Sequence, residues 1–185
     1  MKTNIKKSIK LITLLISSLL IASVSANVYY TMFMTATVGV TGNKVQFWEG
    51  DDFSNVGGSI TDARQKVTFN TMNGQNGSLT TISDPVKINN TDSSSTHTIE
   101  LKLDSWTGTA STPLYYINVT IYAANGTKLG DNIHLVPGGS GQVETTGPLT
   151  MLANEVWRVQ WDIYWKGTAT TSDSVTVNLK IEVTD

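Results

Sequence analysis

The chain has 185 residues, enough for one small domain, and only 15% of them are charged, against roughly 25% in an average globular protein. Four of its basic residues (Lys2, Lys6, Lys7, Lys10) fall in the first 26 positions; the remainder carries nine basic and fifteen acidic residues, a balance of −6. That balance argues against nucleic acid as a partner and against a polybasic membrane patch, and the lack of cysteine removes disulfides, thiolate nucleophiles and Cys-based metal sites.

Residues 1–26 combine a basic start, an apolar run from Leu11 to Ile21 and the small-residue end Val24-Ser25-Ala26. This is the layout of a secretory signal peptide, with cleavage expected after Ala26. The apolar run is about half of what a membrane anchor needs, so no stable anchor is expected after cleavage, and the mature chain is expected outside the cytoplasm. The adjoining segment opposes a retained pilin helix: from Val28 to Thr41 apolar and Thr-rich positions alternate with period two, the mark of a strand.

The same period recurs in Lys44–Trp48, His97–Leu103, Ile117–Ala123, Trp157–Trp165 and Val175–Val183, with shorter candidates at Val67–Phe69, Val86–Ile88 and Ile133–Val136. Turn chemistry separates these runs at Thr41-Gly42-Asn43, Asn73-Gly74, Asn76-Gly77, Asn125-Gly126, Pro137-Gly138-Gly139 and Lys166-Gly167. Only Ser59–Val67 leaves room for a helical turn. Eight or nine short strands with turns between them predict an all-β, antiparallel β-sandwich, jelly-roll-like.

Little in the sequence points to catalysis, and the chain is expected not to be an enzyme and to need no cofactor or metal. His97 and His134 sit inside alternating segments away from any recognised motif. Glu49, Asp51 and Asp52 lack the spacing of a calcium loop and read as a solvated turn, and Asp104, Asp131 and Asp162 form no singled-out acid and base pair. Trp157, Trp161 and Trp165 share a face with Val159 and Ile163, which points to core packing in preference to a sugar-stacking platform; Trp48 and Trp106 are less determined. Asn76, Asn89, Asn118 and Asn125 stand in Asn-x-Ser/Thr sequons and are possible N-glycosylation sites. Asn118 and Asn89 rank first, because the other two have a turn explanation in the glycine after each.

The N-terminal alternating segment is the most informative feature. Fourteen residues from Val28 to Thr41 would extend about 46 Å, longer than the roughly 39 Å diameter of a compact domain of this size. Left unpaired it would be an apolar ribbon with open hydrogen bonds. Either the strand bends from one sheet into another, or its first half leaves the domain and, once the leader is cut, completes a sheet in a neighbouring subunit by strand addition.

A signal peptide followed directly by NVYYTMFMTATVGVTG and then by a Cys-free, Thr- and Asn-rich β domain resembles archaeal bundling pilins and threads, which are similar to bacterial TasA-like (camelysin-type) biofilm fibre proteins. The resemblance implies a signal peptide over 1–26, an N-terminal donor strand over 27–36 and a jelly-roll domain over 37–185. It implies that Val28, Tyr29, Tyr30, Met32, Phe33, Met34 and Ala36 are donated to the next subunit, so that the partner is the chain itself in a head-to-tail homopolymer. Such a product is an extracellular filament of the cell surface or biofilm matrix, with neighbouring filaments as possible partners in bundles. The competing expectation is a monomeric secreted carbohydrate-binding β-sandwich module.

Overall fold

The structure is a computed structural model that describes residues 29–37, 44–61, 63–64 and 66–184, the first of these segments as backbone only. The expected leader, Asn27 and Val28 lie outside the described residues. Eleven strands occur in chain order: β1 Tyr29–Thr37, β2 Val45–Glu49, β3 Gly58–Thr61, β4 Lys66–Gln75, β5 Leu79–Asn90, β6 His97–Trp106, β7 Leu114–Ala123, β8 Lys128–Leu135, β9 Leu149–Met151, β10 Val156–Trp165 and β11 Thr176–Thr184. Among the described residues there is no helix, so none that is long and apolar enough to cross a membrane.

The strands form two sheets, one ordered β3-β4-β1-β11-β6-β9 and the other β2-β5-β10-β7-β8. Period-two alternation gives each sheet one apolar face, and the residues of those faces make a single core. From the five-stranded sheet come Ile88, Ile117, Val119, Ile121 and the β10 series Trp157, Val159, Trp161, Ile163 and Trp165; from the other come Val67, Phe69, Ile99, Leu101, Val177, Leu179 and Ile181. Trp161 is 2% exposed and Trp165 is fully buried, as their shared face predicts.

Three details depart from the sequence reading. Ser59–Val67 is not a helical turn but the hairpin of β3 and β4, whose turn places Ala63 and Arg64 at φ 54° and 67°. Neither is Gly or Asn, the usual occupants of such a turn, so the turn signal was absent. Asn73-Gly74 is not a turn either: it continues β4, and glycine is required because a Cβ there would stand 2.6 Å from the Trp165 ring. Third, the ladders are antiparallel except that between β1 and β11, which is parallel. These strands are joined through the whole domain and need no tight hairpin.

Around the middle of β5 the register jumps, with Val159 opposite Val86 and Trp161 opposite Ile82. Pro85, which has no N–H to give to a ladder, sits in this bulge. The Asp52 carboxylate accepts hydrogen bonds from the N–H groups of Ser83 and Asp84, both at 3.0 Å. Lys87 spans the Asp51 and Asp84 carboxylates at 3.0 Å each; those partners, Asp51 first, raise its pKa. Of the acidic turn, Asp51 and Asp52 therefore serve the bulge.

Candidate strand-exchange site

β1 sits at the centre of the six-stranded sheet, antiparallel to β4 on one side and parallel to β11 on the other. Without it the sheet is two pieces, the β3–β4 hairpin and the β11-β6-β9 unit. The register fixes which β1 positions are paired with core-facing neighbours. Met32 stands opposite Met72, Met34 opposite Phe69 and Val177, and Ala36 opposite Val67 and Leu179; all of those partners are buried. Tyr30 stands opposite Gly74, while Tyr29 and Phe33 are opposite Gln75 and Thr176. A one-residue bulge on β4, between the partners of Met32 and Met34, shifts the inward phase of β4 from Val67 and Phe69 to Met72 and Gly74.

The strand described is nine residues long, about 30 Å at 3.3 Å per residue, which fits within one domain. Of the fourteen positions expected to extend, Val28 and residues 38–41 lie outside the described residues. What singles β1 out is its topology. On its C-terminal side six residues, 38–43, separate β1 from Lys44, the first residue of the body. Lys44 is firmly held: Thr91 donates to its carbonyl through N–H (2.7 Å) and Oγ1 (2.7 Å), and its ammonium pairs with Asp92 at 2.8 Å. The Asp92 carboxylate also accepts from the N–H (3.0 Å) and hydroxyl (2.9 Å) of Ser94. Lys44 and then Ser94 hold its pKa well below the usual carboxylate range. The buried Asn90 completes this anchor, accepting from the Asp92 N–H at 3.0 Å and donating to the carbonyls of Ser95 and Leu152 at 3.0 and 2.9 Å.

The other residues considered from sequence are scattered. His97 is buried, 3.7 Å from Asp92, and the His134 ring contacts the Asn118 carboxamide. Asp104 belongs to the six-stranded sheet, whereas Asp131 and Asp162 belong to the other. Asp162 accepts from Thr81 Oγ1 at 2.6 Å. Among the described residues no group of three or more His, Asp or Glu gathers as a metal site. Burial of Trp157, Trp161 and Trp165 leaves no platform there for a sugar.

The sequons rank differently from expectation. Asn89 is 6% exposed, and Asn118 is half-buried, accepting from Asn132 at 3.2 Å. Asn125 is exposed at the β7–β8 turn, although its side chain accepts from the Thr127 N–H at 2.9 Å. Asn76 is half-buried. Asn118 alternates with the buried Ile117 and Val119, but the neighbouring strands that cover Asn118 and Asn89 are set by tertiary pairing. Compared with known proteins, the chain matches no protein-family model and no curated sequence.

Proposed function

We propose that this chain is a secreted structural subunit that polymerises by donor-strand exchange into extracellular filaments, with a jelly-roll-like β-sandwich as its body and β1 as its donor strand. The observation that carries the reading is the place of β1: a strand at one end of the described chain joins two half-sheets that no other described strand joins. The backbone ladders that β1 makes in its own groove are the same ladders it finds in the groove of a second copy, because the walls β4 and β11 are identical in every subunit. Closed and exchanged forms then differ only through the connection 38–43 and through concentration. Removing the leader frees the N-terminal side of the strand, and each donated strand leaves its owner's groove open for the next copy. The result is a head-to-tail chain of subunits, able to associate laterally into bundles.

Cysteine cross-linking tests this directly, since the chain has no cysteine of its own. Thr35 and Thr68 are register partners across β1 and β4, a separation suited to a disulfide. Chains carrying Thr35→Cys, co-assembled with chains carrying Thr68→Cys and oxidised, are expected to form mixed disulfide dimers, and the double variant a ladder of covalent oligomers. Filaments whose double variant yields only closed monomers on a non-reducing gel would overturn exchange.

A further inference from the structure

Every tyrosine with a described side chain lies on the outward face of the five-stranded sheet, together with the exposed Trp48. Tyr164 packs against Tyr115 and Tyr116, with ring centroids 4.7 and 5.7 Å apart, and Tyr116 against His134 at 5.6 Å. Strand register turns these residues into rows. Trp48, Lys87, Arg158 and Tyr122 are successive partners across β2, β5, β10 and β7. Thr81, Asp162, Asn118 and His134 form a second row, and Leu79, Tyr164 and Tyr116 a third. From Arg158 to Tyr164 is six residues along β10, about 20 Å. The face thus has aromatic rings at both ends and a polar strip between them.

Arg158, Asp162 and Lys87 are each engaged by neighbours on this face. Arg158 lies 4.3 Å over the Tyr122 ring and donates to the Ser83 carbonyl at 2.8 Å. Asp162 accepts from Thr81 and from Gln160, and Lys87 is held between Asp51 and Asp84. Two further cations stand over rings of the face, Arg64 5.9 Å from the Trp48 centroid and Lys166 5.8 Å from that of Tyr115. Beside Trp48, which is 43% exposed, a cleft of about 370 Å³ opens, lined by Asn89, Asn90, Thr91, Asn154 and Val156. An exposed indole beside the Asn154 carboxamide is a combination that suits a ligand with flat C–H faces and many hydroxyls.

We infer that this face binds an extended glycan of equatorially linked hexopyranose units, running from the Trp48 cleft to the tyrosine cluster. Sugar rings stack on Trp48 at one end and on Tyr164 and Tyr115 at the other; hydroxyls meet the Asn154 carboxamide and the amide and hydroxyl groups of the central strip. This role uses the sheet that does not contain β1, so it is independent of strand exchange and gives a matrix subunit a means of holding polysaccharide.

The test titrates the mature protein with cellohexaose and with chitohexaose, reading acrylamide quenching of tryptophan fluorescence. Trp48 is the most exposed of the five tryptophans: Trp157, Trp161 and Trp165 are buried, and the contribution of the half-buried Trp106 on the other sheet is read from Trp48→Ala. Saturable protection by at least one of the two is expected. Trp48→Ala and Tyr164→Ala should each weaken binding, followed by calorimetry, about tenfold or more, as loss of a central aromatic anchor does. Thr98→Ala on the other sheet should leave it unchanged, and thermal melts should show all three variants folded. Protection by neither oligosaccharide overturns the proposal, as does unchanged affinity in Trp48→Ala. Protection of Trp48 that instead rises with protein concentration in the absence of sugar would assign the face to contacts between copies. The wild-type quenching result stands even if a variant fails to fold.

Discussion

The two sheets of this molecule are built on different principles. Every strand of the five-stranded sheet falls between Val45 and Trp165, all its ladders are antiparallel, and its centre is β10, whose three tryptophans face the core. The six-stranded sheet instead draws on both ends of the described chain and depends on β1 to become one sheet. One sheet is a scaffold complete in itself, and the other is complete only when a separately tethered strand is in place. Under the proposed exchange, the body would persist while β1 comes from its own chain or from another.

Four experiments break or sharpen that contrast, in order of expected effect. Deleting residues 29–37 should abolish ordered filaments and speed amide hydrogen exchange in β4 and β11 by orders of magnitude, while β5, β7 and β10 stay protected as a separate unit of local stability. If the five-stranded sheet loses its protection equally, the two are a single cooperative unit and the contrast fails. Trp161→Ala attacks the scaffold. A fully packed aromatic truncated to alanine costs about 3 to 5 kcal/mol, visible as a large fall in the urea midpoint with both sheets affected; a fall under about 1 kcal/mol would mean that the core does not rest on β10.

Gly74→Ala probes the floor where the two sheets meet. Its new Cβ would stand 2.6 Å from Cδ1 and 2.8 Å from Nε1 of Trp165, overpacking that costs about 1 to 3 kcal/mol and should slow assembly along with lowering the midpoint. An unchanged midpoint would show that Trp165 moves aside freely. The smallest effect concerns the anchor of β2. Because Lys44 and Ser94 lower the Asp92 pKa, the carboxylate's contribution is fully present above its unfolded value of about 3.9 and is lost as pH falls through and below it. Melting temperature should therefore drop on acidification from about pH 4, and Asp92→Asn should flatten that part of the profile. A variant with the same acid profile as the parent would remove Asp92 from the anchor.

Much of the scaffold was legible in the sequence because β10 and β11 alternate without interruption: each residue's face follows from parity alone, and the burial of Trp157, Trp161 and Trp165 could be read directly. Parity failed where bulges reset it. β4 changes inward phase at its bulge, so only Val67–Phe69 stood out from a strand of ten residues, and the Pro85 bulge similarly hid the full length of β5. The short β3 and β9 have too few residues to show a period. In β1 the alternation announced a strand, but its neighbours could not be read, since the parallel partner β11 lies at the far end of the chain. The tyrosine face was invisible for a related reason. Tyr116 and Tyr122 alternate plainly on β7, yet they join Tyr164 and Trp48 only through the register of three separate ladders.

The parallel pairing of β1 with β11 also sets a clock. Phe33 and Thr176 are register partners although they stand 143 positions apart, and contacts so distant in sequence form slowly because a long loop must close before they are rewarded. During synthesis β1 exists long before its second neighbour, and β4 is the only flank it can meet early. A newly made chain therefore passes through an interval in which a groove stands half-built beside a waiting strand. Under the proposed exchange, the order of arrival in that interval, and not only the final free energy, decides which strand enters. Refolding at increasing protein concentration reads this directly: under the proposed exchange, closed monomers should give way to oligomers as encounters between chains begin to outpace closure of the loop within one chain.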